Sequence, residues 1–301
     1  MRVGISIGTA FDPAAGRDGP RSVLEQARAA HRAGLDTLSV GDHHVTAPGA
    51  FLQNVPVMGR ILAEWGDRPA GCLFLVPLWH PVLMAEQIGT LAMLSSGPFI
   101  VQTGLGQGAA QFRAMGRSLD DRASLFEEGV ATVRALLDGR TVGSPAWGVE
   151  QARIAPLPPD GTEWWVGAGS RRAVDRAARI GDCWYANADL TPATAARTLG
   201  WYLDACDRYG RTPVRLPIRK DVFIAEDRAD AERVGDALMA AGYRGFDRAA
   251  VAYGDPDSVA EQLAPFGELG FTDVIIRTMT APVEAAVRSV ELAGEVRSRL
   301  Q

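Results

Sequence analysis

Residues 71–106 read GCLFLVPLWHPVLMAEQIGTLAMLSSGPFIVQTGLG. The apolar run at 72–76 has the length of a buried strand and stops at Pro77, which cannot donate to a ladder. Pro81 then takes about the first helical position, where a missing N–H costs nothing, and opens a helix over 82–94. A second apolar run, 99–103, closes on Gly104-Leu105-Gly106. Strand, helix and strand in so short a span predict a parallel pair joined by a helical crossover.

The same alternation continues outward on both sides. Toward the N-terminus lie a strand at 3–7, an Ala-rich helix ending at Gly34 and introduced by the capping-box spacing of Ser22 and Glu25, a strand at 37–40 and a helix at 55–64. Toward the C-terminus a helix at 120–138 stops at Gly139, and the Pro-rich stretch 145–159 reads as a surface insertion. A strand at 164–166, a helix at 171–180 and a strand at 183–185 follow. Thr191 and Pro192 supply N-cap and first turn for a helix that ends at Gly210. The last strands are 216–225 and 273–276, with helices at 229–241, 258–269 and 283–299. Eight strands without a linker-like break or internal repeat predict an α/β fold: a single TIM barrel, (β/α)8, with loop insertions, one domain over residues 1–301.

Composition narrows the partners. Of 301 residues 47% are hydrophobic and 22% charged, ordinary globular usage with enough apolar surface for a large core. The net charge of −5 argues against a nucleic-acid or anionic-membrane surface and for a small-molecule substrate. Cys72, Cys183 and Cys206 form neither a disulfide framework nor a metal spacing, so a reducing, cytoplasmic compartment is expected. The N-terminus reads as a strand rather than an export signal, and no apolar run reaches the roughly 18 residues that span a bilayer. Nearly all basic residues are Arg; Lys220 is the only Lys.

Reactive groups of such a barrel sit where strands end, and four of those positions are informative. After the second strand comes Gly41-Asp42-His43-His44, in which a carboxylate beside two imidazoles can orient, exchange protons or bind metal. Neighbouring side chains of an extended segment point oppositely, so one imidazole at most faces the barrel mouth easily. After the third strand Trp79 is either an aromatic wall or core, and His80 before Pro81 reads as a helix cap. The glycines of Thr103-Gly104-Leu105-Gly106-Gln107 permit close backbone approach to a ligand. Gly167-Ala168-Gly169-Ser170 runs from a strand into a helix, whose N-terminal N–H groups suit an anion, Ser170 serving as ligand or as plain cap.

These segments, in this order, resemble the bacterial luciferase-like superfamily, which includes flavin-dependent monooxygenases and the reductases and dehydrogenases that use the deazaflavin F420. The resemblance covers nearly the whole chain and is most specific over 71–106. It implies that His43 is catalytic, tuned by Asp42, and that Gly167, Ala168, Gly169 and Ser170 form the phosphate-binding turn. It also implies a non-prolyl cis peptide in a bulge at Cys72 and Leu73 behind the cofactor ring. Thr103, Gly104 and Gly106 join the cofactor site, and Trp79, Gln107 and Trp184 the substrate pocket, with no metal.

Leu105 falls near an Arg that helps luciferase hold the FMN phosphate. Gln107 falls where F420-dependent sugar-phosphate dehydrogenases carry an acidic catalytic residue, which argues against a sugar phosphate. The leading expectation is therefore an F420-dependent oxidoreductase, commonly a homodimer in this family, moving a hydride to or from a small organic substrate. The alternative is an FMN-dependent monooxygenase. A metal-dependent hydrolase using Asp42, His43 and His44, or a cofactor-binding protein without turnover, belongs to a different class. The low His count argues against the hydrolase.

Overall fold

A computed structural model describes residues 1–279 and 282–301. In chain order the strands are β1 (Arg2–Ile7), β2 (Ala10–Phe11), β3 (Leu38–Val40), β4 (Ala50–Phe51), β5 (Ala70–Leu75), β6 (Phe99–Gly104), β7 (Val142–Ser144), β8 (Val149–Ala152), β9 (Glu163–Ala168), β10 (Cys183–Ala186), β11 (Pro217–Ile224), β12 (Val251–Gly254) and β13 (Asp273–Thr278). The helices are α1 (Gly19–Arg32), α2 (Asn54–Trp65), α3 (Pro81–Leu94), α4 (Ala109–Ala114), α5 (Arg122–Leu137), α6 (Arg171–Ile180), α7 (Pro192–Tyr209), α8 (Arg228–Ala240), α9 (Pro256–Glu268) and α10 (Val283–Leu300). Packing divides the chain into two compact units, residues 9–13 with 39–167, and residues 1–8, 14–38 and 168–301.

In the unit built on 39–167, β5 pairs β6 in parallel from Ala70 opposite Phe99 to Leu75 opposite Gly104, and β6 pairs β9 with Val101 opposite Trp164. Their alternate side chains bury Cys72, Phe74, Val101 and Trp164. Helix α3 starts at Pro81, as its sequence predicts. Gly89 is required there, because a Cβ would stand 2.3 Å from the Pro156 carbonyl oxygen. The Pro-rich stretch differs from expectation. It is partly ordered as an antiparallel ribbon of β7 and β8, closed by a turn in which Trp147 is buried and Gly148 is left-handed. Ser144 is anchored to Glu128 of α5.

In the other unit β1 pairs β13, with Gly4 opposite Ile275, and β13 pairs β11. Strand β11 also pairs β12, with Asp221 opposite Val251, a strand absent from the sequence reading. Residues Phe223, Ala231, Val251 and Tyr253 pack under it, which is what makes so short a strand worth forming. Helix α7 matches its signals: Thr191 accepts from the Thr194 N–H, Pro192 sits in the first turn and Gly210 ends it in the left-handed region. Helix α1 does not. It begins at Gly19 with Pro20, and Ser22 donates its hydroxyl to the Gly19 carbonyl instead of capping.

Candidate active site

Past β3, Asp42 is 3% exposed. Its Oδ2 accepts from the Leu75 backbone N–H at 2.8 Å and from the Trp79 indole N–H at 2.7 Å. Its Oδ1 lies 3.1 Å from His44 Nε2, close but out of line for a hydrogen bond. His44 is also edge-on to Trp79, with ring centroids 5.7 Å apart. His43 turns the other way and lies against Phe51 at 4.2 Å. The alternation expected of the two imidazoles is present. The carboxylate expected to tune His43, however, is directed to His44, Leu75 and Trp79, because the chain turn that follows brings His44 beside it.

Both histidine carbonyls are tied, His43 by Gln53 Nε2 at 2.7 Å and His44 by Gln111 Nε2 at 2.8 Å. Directly after them Val45 has φ 52°, a left-handed conformation that a β-branched side chain resists. The segment is held in a shape it would not adopt alone.

The β5 and β6 assignments need correction. Cys72 is fully buried, its thiol facing the Asn54 carbonyl at 4.0 Å, and burial, reinforced by the Asp42 charge, pushes its pKa well up. It is an inert core thiol and not a ligand contact. Thr103 is likewise buried, its hydroxyl donating to the Trp165 carbonyl at 3.4 Å. The expected cis peptide at Cys72–Leu73 is absent: among the described residues the cis bonds are Ala47–Pro48 and Ala155–Pro156. The β5–β6 register runs unbroken, so no bulge exists there, and a non-prolyl cis bond would cost about 3–4 kcal/mol.

Leu73 stays partly exposed and lies on the side of Gly104, whose Cβ position is 3.7 Å from it. Gly106 takes φ 71° against Phe112, and Gln107 is exposed. His80 occupies the N-cap of α3, but its side chain makes no cap bond and packs edge-on to Trp147. In the same unit Thr9 Oγ1, Ser39 Oγ and Gln102 Nε2 are buried without a hydrogen-bond partner.

In the other unit, Gly169 and Ser170 are exposed at the start of α6. Ser170 accepts from the Ala173 N–H at 3.3 Å, so it is the helix cap, and its own proton remains available. A Cβ on Gly169 would fall 2.6 Å from Asn187 Nδ2. Ala168 is buried, and its carbonyl accepts from the Trp184 indole N–H at 2.8 Å. Gly167, on the far side of the division, leaves room for the Thr103 carbonyl 3.1 Å away. Trp184 is another correction: it is 0% exposed and packs against Tyr202 and Phe271, in the core and not in a pocket wall. Its strand neighbour Tyr185 faces the charged side, beside Arg219, Arg277 and Asp221.

Sequence reasoning missed that charged side altogether. Asp221 is fully buried, accepting from the Tyr243 hydroxyl at 3.0 Å, with Arg219 Nε at 3.3 Å and Arg244 Nε at 3.7 Å. Between them on β11, Lys220 points the other way, 1% exposed. Its ammonium donates to the carbonyls of Ala188 at 3.1 Å and Leu190 at 2.7 Å and lies over Phe266. Burial brings its pKa down to about 7. The signal was present: Arg219-Lys220-Asp221 is a run of three charges inside a strand, at odds with a simple buried run.

Among the described residues no group of three or more His, Cys, Asp or Glu could hold a metal ion, and no helix is long and apolar enough to cross a membrane.

Comparison with known proteins bears on this geometry. An F420-dependent glucose-6-phosphate dehydrogenase of Beutenbergia cavernae is 26% identical, the match covering 94% of each chain. An FMNH(2)-dependent dimethylsulfone monooxygenase of Pseudomonas fluorescens is 26% identical over 72% of this chain and 59% of its own. Among solved structures, an F420-dependent secondary alcohol dehydrogenase in complex with an F420-acetone adduct superposes with TM-score 0.82 at 17% identity, covering 100% of this chain and 99% of that one. Likeness of this extent shows the fold, the closed eight-stranded parallel α/β barrel that the strand count predicts. The family model for luciferase-like monooxygenase matches residues 1–250, and the chain belongs to that family of oxidoreductases.

Proposed function

We propose that the protein is an oxidoreductase that moves a hydride between F420 and a small organic substrate. One observation carries the choice of cofactor. The F420-dependent relative aligns over 94% of both chains, whereas the flavin-dependent one aligns over 59% of its own length. Leu105, where the resemblance puts a phosphate-holding Arg of luciferase, supports the same choice.

The residues present fit such a group. Thr9, Ser39 and Gln102 offer buried polar atoms without partners, as a planar heterocycle with several donors and acceptors requires. The exposed Gly169-Ser170 turn offers the N–H groups of the first turn of α6 and the Ser170 proton to a phosphate. When bound, F420 supplies or accepts the hydride at its deazaflavin ring.

The chain's own part is orientation and proton handling. Asp42 fixes His44 and Trp79 as a rigid corner, and the tied carbonyls of His43 and His44 hold the segment that carries His43. His43 gives or takes the proton at the substrate atom that changes charge. Gln107, exposed in the loop after β6, and Trp79 contribute to the substrate wall. The proposal includes a cytoplasmic homodimer, whose subunit number light scattering reads.

An FMN-dependent monooxygenase is the second reading, favoured by the Pseudomonas fluorescens relative. Turnover separates them. Reduced F420 should lose its hydride to a carbonyl or related acceptor under anaerobic conditions. A protein that consumes oxygen when supplied with reduced FMN, and leaves F420 unchanged across an acceptor panel, has the second activity.

A further inference from the structure

We propose that Arg277, Arg219 and Arg244 form an oxyanion-binding subsite that holds a carboxylate or phosphate of the substrate. The electrostatic neighbours of Arg277 are Arg219, Asp221, Arg244 and Tyr243, so three guanidiniums share one carboxylate and the cluster carries two positive charges in excess. Asp221 does not absorb their donors. Its closest contacts to Arg219 and Arg244 run through Nε, at 3.3 and 3.7 Å, which leaves the terminal nitrogens of both forks farther away. Arg297, by contrast, grips both oxygens of Asp36 at 2.8 and 3.0 Å.

Arg277 is the clearest case. Among the described residues it makes no hydrogen bond or ion pair, although it is partly buried and burial beside Arg219 lowers its pKa. Room is made for it by Gly8, whose Cβ position is 3.2 Å from an Arg277 terminal nitrogen. Like charges gathered at a half-buried site, with planar forks unmatched, are unfavourable alone and favourable around an oxyanion that accepts from several of them. Tyr243 completes the surround while its hydroxyl is held by Asp221, which together with burial raises its pKa to about 12. It stays a neutral phenol and adds no competing negative charge.

Only the word substrate rests on the proposed function; anion binding stands without it. The probe is inorganic phosphate, added at pH 7 and constant ionic strength against sodium chloride, with thermal melting as readout. A saturable rise in Tm is expected, weakened at least tenfold in apparent affinity in Arg277→Gln and in Arg219→Gln and retained in Gly169→Val. Without phosphate, Arg277→Gln should melt at or above the parent temperature, since it relieves repulsion. A marked loss would mean that these charges are structural, and would overturn the proposal. So would a response no larger than that of chloride, or one lost in Gly169→Val and kept in Arg277→Gln, which would assign the anion to the α6 turn. Repeating the titration with saturating F420 or FMN identifies the source. A response that persists belongs to the substrate, and one abolished by cofactor belongs to the cofactor's own acid and overturns the substrate assignment. Cofactor affinity, read separately by fluorescence, can fail without altering the phosphate arm.

Discussion

Asp42 and Asp221 are carboxylates of equal burial, one in each compact unit, and their surroundings differ in kind. Asp42 is held by a backbone N–H and an indole N–H, with the His44 imidazole beside it, and no guanidinium or ammonium pairs with it among the described residues. Asp221 is held by a phenol and two guanidiniums. The first surround holds a chain segment in place, and the second carries a positive field. Two carboxylates of like burial are thus distinguished by whether fixed charges surround them.

The largest expected effect tests the segment that Asp42 anchors, which carries His43. Replacing His43 by Ala should lower turnover roughly 10²- to 10⁴-fold with little change in cofactor affinity, the range for a positioned acid–base group. His44→Ala should retain more activity and lose stability, because His44 is fixed by Asp42. Equal kinetic losses in the two variants would erase the distinction between them.

Next, Asp221→Asn should lower the unfolding free energy by roughly 1–3 kcal/mol in urea titrations, since it leaves half-buried guanidiniums without their carboxylate. Added phosphate should restore part of that loss. Asp42→Asn, which has no such excess, should show no phosphate rescue, and rescue of both would collapse the contrast between the two carboxylates.

Lys220 supplies a pH test. Its folded value of about 7 lies below the ordinary 10.5, so the unfolded chain binds more protons between those limits and stability rises with pH across them. Wild type should therefore gain roughly 2 kcal/mol relative to Lys220→Met between pH 7 and 9, measured by denaturation at both values. A flat difference would show that the ammonium is not held out of water. Smallest is Trp79→Phe, which keeps the ring and removes one donor to Asp42; a loss of about 1–2 kcal/mol is expected.

The barrel strands were legible because all but β11, which carries Arg219-Lys220-Asp221, are largely apolar runs ended by turn residues, and α7 was legible to the residue from Thr191, Pro192 and Gly210. Strand β12 was not, since Val251–Gly254 is too short to show a period and forms only against Phe223 and Ala231. At the site, the Asp42-His43-His44 element could be found but its wiring could not: Trp79 lies 37 residues from Asp42. Whether Trp184 or Tyr185 faces the charged side depends on strand parity, which one apolar run does not reveal. The Arg cluster escaped because its members come from β11, the turn at Tyr243–Gly245 and β13, none of which contains a motif by itself.

The choice of cofactor is tested by a side-by-side titration of the purified protein with F420 and with FMN, following cofactor fluorescence. Saturable F420 binding is expected, at least tenfold tighter than FMN, weakened by Gly169→Val and unchanged by His43→Ala. FMN binding as tight as F420 or tighter would contradict it.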